Sequence, residues 1–581
     1  MKNIYCLFLG LVFFIAGCNS SEGVRLIKGM TISKSITIAP NTYILNANQD
    51  KNTPVLTIEG NDIVVDFNGA ILQGNSKMDE PNTFQGLGIL VKGGENITIK
   101  NLIVKGYQFG LKAISVDSLK IENVDFSYNY RPKISEISIK KNRFFSENKV
   151  KFEEEWLKYG AAIHLQKCNN ALVKSLTITE GMNGLMLEEC NNGLFYNNTI
   201  QFNSGVGIGL YRSNLNRIAY NKLDWNIHKM AFERGEEGHH SAGILLHELS
   251  NENTIAYNSA THCGYGLSIT AGAFTENSGE GGCNDNTIFR NDFSYSPFSG
   301  IKMTLSHNRI YDNSMVECGI GIEGRYSYKT EVIGNIVQDC AVGIDIQNGQ
   351  DNTIRNNDMY ENEVGIRLWE QNDRPNHWGF SLKKDISSRH YAIDHNAFNK
   401  NKIPFQISNS EDIYIVANDL YDFETLLEEA APNKNLLQKN NNLSLEKVEV
   451  KASTAVFVYA LEPIPDAQNA MLPGSQLKGQ QYILINEWGV YSFKYPVMWL
   501  RTKEDNRYVF ALFAPRGNWK LTNAEGIDRI SLKTGTFPAT VVVNRTENTD
   551  LMKVELAFIG NEVTTQFGEK VKKGGDYSFG Y

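Results

Sequence analysis

The stretch NTIRNNDMYENEVGIRL, residues 352–368, decides the fold. Its last four residues, a glycine followed by apolar-x-apolar, recur along the chain. They appear as GLML at Gly184, GIGL at Gly207, GILL at Gly243, GLSI at Gly266, GIKM at Gly300, GIEG at Gly321, GIDI at Gly343 and GIRL at Gly365. The last four starts are 21, 22 and 22 residues apart. Two polar columns keep the same step: Asn291, Asn313, Asn335 and Asn357, and Asn286, Asn308, Thr330 and Asn352. Self-similarity at this period marks a solenoid, in which each unit buries its apolar face against the next. Leucine-rich repeats share the period, but their LxxLxL framework is missing. Short strands of alternating Ile, Val and Leu, punctuated by Asn and Gly, predict coils of a parallel β-helix with strands stacked about 4.8 Å apart. An asparagine at a tight corner tolerates the left-handed conformation, and its amide bonds backbone and the next coil. The columns are therefore read as structural.

Through repeats such as NTIRNNDMYENEVGIRL the chain resembles the right-handed parallel β-helix superfamily of pectate-lyase-like carbohydrate-active proteins, over roughly residues 30–420. That resemblance implies an all-β solenoid and a glycan substrate. The NTIxxN repeat also looks like NosD-type proteins, periplasmic β-helices linked to copper-enzyme maturation, which would imply a non-catalytic binding protein. Copper sites want clustered His, Met or Cys, and the thiols here read as buried. The paired aspartates of polygalacturonases and the DPHD motif of alginate epimerases are missing. The resemblance thus supports fold and substrate class, not a specific reaction.

The remainder of the chain sets the context. With 581 residues, 41% hydrophobic and 21% charged, the composition is that of a soluble globular protein and excludes a disordered or multi-span chain. A net charge of -8 argues against a nucleic-acid partner held by phosphate contacts. Lys2, an apolar run from Ile4 to Ala16 and then Gly17-Cys18 read as a secretory signal too short to span a bilayer. The segment FIAGC resembles a bacterial lipobox, which implies a lipidated Cys18 and a protein held at the cell envelope by that anchor alone. The expected organisation is a signal peptide (1–17), an anchor and N-terminal cap (18–55) and a parallel β-helix with groove-forming insertions (56–420). A helical or linker segment containing FETLLEEAA (421–446) and a C-terminal β-sandwich (447–581) follow. In that last unit Trp488, Tyr491, Tyr495 and Trp499 are read as core. Cys168 and Cys190, like Cys318 and Cys340, are 22 residues apart and read as stacked apolar fillers.

Four segments break the period: 129–159 and 227–241 enter before a repeat strand, while 271–283 and 371–390 leave after one. Loops on opposite sides of one sheet would wall a cleft that suits a chain polymer. Taking the motif glycine as outward, alternation places Leu245/His247, Ser268/Thr270, Lys302/Thr304, Glu323/Arg325, Asp345/Gln347 and Arg367/Trp369 on the floor. His239 and His240 join one wall, Glu276 and Glu280 the other.

Two glycan-cleaving reactions fit. Hydrolysis needs two carboxyls, roughly 5–5.5 Å apart for retention or 6.5–9.5 Å for inversion. Glu323 and Asp345, one coil apart, fit the shorter spacing and Glu280 the longer, with crowding raising one pKa. The bland alternative is a structural charge ladder, Lys302-Glu323-Asp345-Arg367. Elimination on a uronate would use Lys302, Arg325 or Arg212 against the carboxylate and His247, His240 or Tyr211 as base. Tyr211, Tyr326, Tyr328 and Trp369, with Arg367, would line the sugar-binding surface. Hydrolysis is the favoured expectation, ahead of elimination and of a non-catalytic binding protein. No cofactor is expected. Calcium would draw on Glu276, Glu280 and Asp285, for which no loop signature exists.

Overall fold

The computed structural model describes residues 23–137, 158–230, 241–371, 379–444, 461–464, 466–467, 477–571 and 577–581. The repeat folds as a right-handed parallel β-helix. One parallel sheet of 15 strands runs from Met30–Ile32 to Leu427–Glu428. A second parallel stack runs from Ile36–Thr37 to Lys434–Lys439, and a third of six strands from Ser314–Val316 to Asn442–Ser444. Identical positions of the repeat meet in register, so Lys302, Glu323, Asp345 and Arg367 are successive neighbours on adjacent strands.

The core is built from columns. Ile244, Leu267, Ile301, Ile322, Ile344 and Ile366 stack with no exposed surface. The asparagine columns satisfy the backbone at the corners. In the ladder through Asn291, Asn313 and Asn335, each side-chain carbonyl accepts both the backbone N–H and the amide of the preceding asparagine at 3.0–3.1 Å. The amide of Asn313 also donates to Ile288 O at 3.0 Å. Nothing is left over for a ligand. The six cysteines of the described residues are free and buried.

Three expectations need correction. The motif glycine faces inward: a Cβ at Gly321 or Gly343 would collide with the core side chains Val337 or Met359. The outward positions after it are nevertheless as expected: the ladder pairs Ile320 with Val342, passes over the glycine and resumes at Ile322 with Ile344, and alternation holds from there. Residues 421–446 are not a helical linker, since Leu427–Glu428, Lys434–Lys439 and Asn442–Ser444 form a further coil. The FETLLEEAA run yields its apolar residues to the end of the core rather than to a helical face. At the other end, Met30–Ile32 already pairs in parallel with Pro54–Ile58, so the solenoid starts before residue 56.

Beyond the solenoid, two antiparallel four-stranded sheets enclose Phe510, Trp519, Val541 and Leu556. Trp488, Tyr491 and Tyr495 are buried there. This unit docks on the solenoid: Ile483 and Val490 pack on Trp225 and Ile227. The Arg131 guanidinium, paired with Glu180, also donates to Gln566 O at 2.8 Å.

Candidate functional site

The outward face of the 15-stranded sheet carries the charged floor. Glu323 Oε2 accepts from Ser299 Oγ at 2.7 Å and Oε1 from Arg325 Nε at 2.8 Å. Burial pushes the Glu323 carboxyl up, but the charges of Lys302 and Arg325 and the Ser299 hydroxyl outweigh it and hold it below the ordinary glutamate range. Asp345 is gripped by both guanidinium arms of Arg367, at 2.8 and 2.6 Å, and by Trp369 Nε1 at 2.9 Å. Lys302 Nζ lies 5.3 Å from the Tyr265 ring centre. Glu323 and Asp345 are neighbours in register, each with its own arginine, and Glu323 is not raised by the expected crowding. The centre of this ladder is closed, with Lys302 2% and Glu323 5% exposed, while the Arg325 and Arg367 side chains are about a third exposed at the edge.

Toward the N-terminal coils the floor changes character. His247 Nδ1 is 2.8 Å from Thr270 Oγ1, and its ring stacks 5.8 Å from that of Tyr211. The Arg212 guanidinium lies 5.0 Å over the other partner of that stack, the Tyr211 ring, and Arg212 Nε is buried without a hydrogen bond among the described residues. Ser268 Oγ and Thr304 Oγ1 are also buried and have no hydrogen-bond partner among the described residues. Ser268 is the register neighbour of Lys302, and Thr304 follows two residues later on the same strand. Buried hydroxyls are normally satisfied, so these two mark unspent hydrogen-bonding capacity on the floor. Alternation had placed both there without giving them a role.

One wall is built from two insertions. The short helices Ala273–Ser278 and Gly379–Lys383 touch where Gly279 and Gly379 meet the opposite backbone. Phe380 and Ile386 from the second insertion close over Leu305 and Tyr326. Tyr326 is thereby taken into that apolar cluster, 7% exposed, and is not a stacking platform. Tyr328 receives a hydrogen bond from Lys384 Nζ at 2.9 Å beside a cavity of about 360 Å³ that both residues line. Glu280 is exposed on the wall and pairs with Lys383 at 2.7 Å, which holds its carboxyl below the ordinary range. It is therefore poorly suited to be the proton donor of an inverting pair. Asp285 pairs with His307 at 3.2 Å. Among the described residues no group of three or more His, Cys, Asp or Glu could hold a metal ion, calcium included. His239, His240 and Cys18 lie outside the described residues, as do 138–157 and 372–378 of the insertions.

The sequence profile of the family described as "Periplasmic copper-binding protein (NosD)" matches residues 16–300 and 280–448. Comparison with curated proteins returned no match. Among solved structures, the periplasmic alginate epimerase AlgG is 13% identical, with 71% of this chain and 85% of that chain covered at a TM-score of 0.34. The A-module of the Azotobacter vinelandii mannuronan C-5 epimerase AlgE6 is 11% identical, covering 71% and 92% at 0.35. DFA-IIIase from Arthrobacter chlorophenolicus A6 without its lid is 10% identical, covering 51% and 70% at 0.30. Their activities are statements about those proteins. For the copper in the family description, the described residues bring no three His, Cys, Asp or Glu together; the thiols are core fillers, and burial pushes those of Cys263 and Cys283 up, away from the thiolate a metal needs.

Proposed function

The chain belongs to the NosD family, and from that premise we propose that it works at the bacterial cell envelope, anchored through Cys18, as a carbohydrate-active β-helix. Its floor takes a uronate-bearing glycan and cleaves it by elimination. One observation carries the carbohydrate reading. Ser268 Oγ, across the ladder from Lys302, and Thr304 Oγ1, two residues along its strand, are buried without hydrogen-bond partners among the described residues, which suits a ligand rich in hydroxyls. The choice of reaction follows from the carboxylates. A hydrolase needs one protonated carboxyl, whereas Glu323 is held ionised and Asp345 is clamped by Arg367 and Trp369.

In this reading the Arg325 guanidinium, about a third exposed at the edge of the floor, meets the uronate carboxylate, with the buried charge of Lys302 behind it, and stabilises the charge that develops there. His247 takes the proton from the carbon α to that carboxylate. The electron pair of the broken C–H bond forms the new C=C bond as the bond to the glycosidic oxygen breaks, and the leaving oxygen takes the proton back from the imidazolium. Tyr211 and Trp369 flank the chain of sugars at the two ends of the floor.

The test is product mass after incubating residues 19–581 with neutral and uronate polysaccharides. Unsaturated fragments without added water support elimination. One added water per cut means hydrolysis and returns the carboxylates to the centre. Binding without cleavage means a glycan-binding protein.

A further inference from the structure

A soluble solenoid ends in a cap whose outer face is polar. Residues 24–28 cap the N-terminal end here. Val24 bridges Ile38 beside the second stack, and Gly29 N donates to Val55 O of the 15-stranded sheet, so the segment between them crosses the open end of the coil. Leu26, in its middle, is buried in the core cluster. Its neighbours Arg25 and Ile27 face out, and Ile27 is 65% exposed. Ile44, in the strand Thr42–Ile44 of the same coil, is 53% exposed.

Charge singles out this end. From Gly23 to Gln49 the only charged residues are Arg25, Lys28 and Lys34, all exposed, in a chain of net charge -8. Lys28 Nζ is steadied by Asn48 Oδ1 at 3.0 Å. The far end of the solenoid also exposes Leu437 and Leu443, but there Glu428 and Glu429 offset Lys434 and Lys439. Cations beside an open strand edge also deter pairing with another chain. Met30–Ile32 is such an edge, pairing on one side only among the described residues. That role does not account for an exposed isoleucine between Arg25 and Lys28. Cys18 stands five residues before Gly23, so a lipid on it would hold the cap within about 18 Å of the headgroups.

We propose that the N-terminal cap is a membrane-contact face. Arg25, Lys28 and Lys34 meet anionic headgroups, while Ile27 enters the boundary between headgroups and acyl chains. The tether rests on the Cys18 anchor of the reading above; the face itself rests on the cap. A contact at the end of the axis stands the solenoid up from the bilayer. Lys302 lies on the tenth strand of the 15-stranded sheet, and nine steps of about 4.8 Å raise the charged floor roughly 40 Å above the surface.

The test is flotation of residues 19–581 with vesicles of phosphatidylcholine alone and of phosphatidylcholine mixed with phosphatidylglycerol. The parent should bind the anionic vesicles roughly a hundredfold more tightly, the effect of three cations near the surface, and added salt should erase the difference. Arg25→Glu combined with Lys34→Glu should remove the preference. Ile27→Ser should weaken binding to the anionic vesicles about fivefold. All three positions are exposed, so the melting temperatures should stay parental. A parent without preference for anionic vesicles, or variants that bind as the parent does, overturns the face. End-to-end dimerisation of the parent in solution that Ile27→Ser abolishes also overturns it, because the cap would then meet a second copy. Acylation of Cys18 is read separately by labelling the full chain with palmitate. An unlabelled chain removes the anchor of the proposed function, and the vesicle result still decides the face.

Discussion

Asp345 lies beside Glu323 in the register of adjacent strands, yet each carboxylate is closed by its own arginine, Asp345 by Arg367 at 2.6 Å and Glu323 by Arg325 at 2.8 Å. Two bare carboxylates at this spacing would push one pKa up. Giving each carboxylate its own arginine offsets that pressure at Glu323 and makes the floor an ionic lattice. A desolvated ionic lattice is rigid, and it is intolerant of losing a member.

Lys302→Met should therefore destabilise the solenoid by about 3 kcal/mol, because it leaves the buried Glu323 carboxylate with less compensating charge. Denaturant unfolding measures this directly. The double variant Lys302→Met with Glu323→Gln should recover most of the loss, and a double variant no more stable than the single one would contradict the pairing.

His247→Gln should lower turnover of uronate glycan at least a hundredfold, the scale of a lost general base. Gln can still meet Thr270 Oγ1, so unfolding should move little. A variant with parental turnover rules out His247 as the base.

Asn313→Ala removes the acceptor of the Asn291 N–H and amide bonds and the amide that satisfies Ile288 O. Leaving buried backbone groups unpaired in mid-ladder should cost about 3 kcal/mol. Thermal and denaturant midpoints should both fall, with no specific effect on sugar affinity.

Acid sensitivity should be traceable to His262. Burial against Trp225, whose ring centre is 4.2 Å away, lowers its pKa to about 3. An unfolded histidine titrates near 6.5. Between those values the unfolded chain binds a proton that the folded chain refuses, so stability falls as the pH drops below about 6.5 and the loss is complete near 3. The contribution is about 3 kcal/mol by pH 4. His262→Phe preserves the stack and should flatten this part of the stability–pH curve; an unchanged slope would place the acid sensitivity elsewhere.

Much of the architecture was legible in the spacing of Gly321, Gly343 and Gly365 and of the asparagine columns, because each residue of a solenoid meets its counterpart one coil away. That same local rule placed Lys302, Glu323, Asp345 and Arg367 in one outward column. The direction of the motif glycine was not legible, since it breaks the alternation from within the strand, as Gly321 does in Ile320–Arg325 with its Cβ position against the core. The last coil was hidden in FETLLEEAA, whose local helical pattern yields to the end of a stack already formed.

The sequence by itself determined the period, the columns and the outward face, all of which repeat contacts one coil apart. Only the tertiary structure decided what those residues do to one another. It set which arginine closes which carboxylate, that Tyr326 is covered rather than displayed, and that insertions about a hundred residues apart meet as one wall at Gly279 and Gly379. These relations depend on how far each insertion reaches and how each corner bends, and no repeat period specifies either.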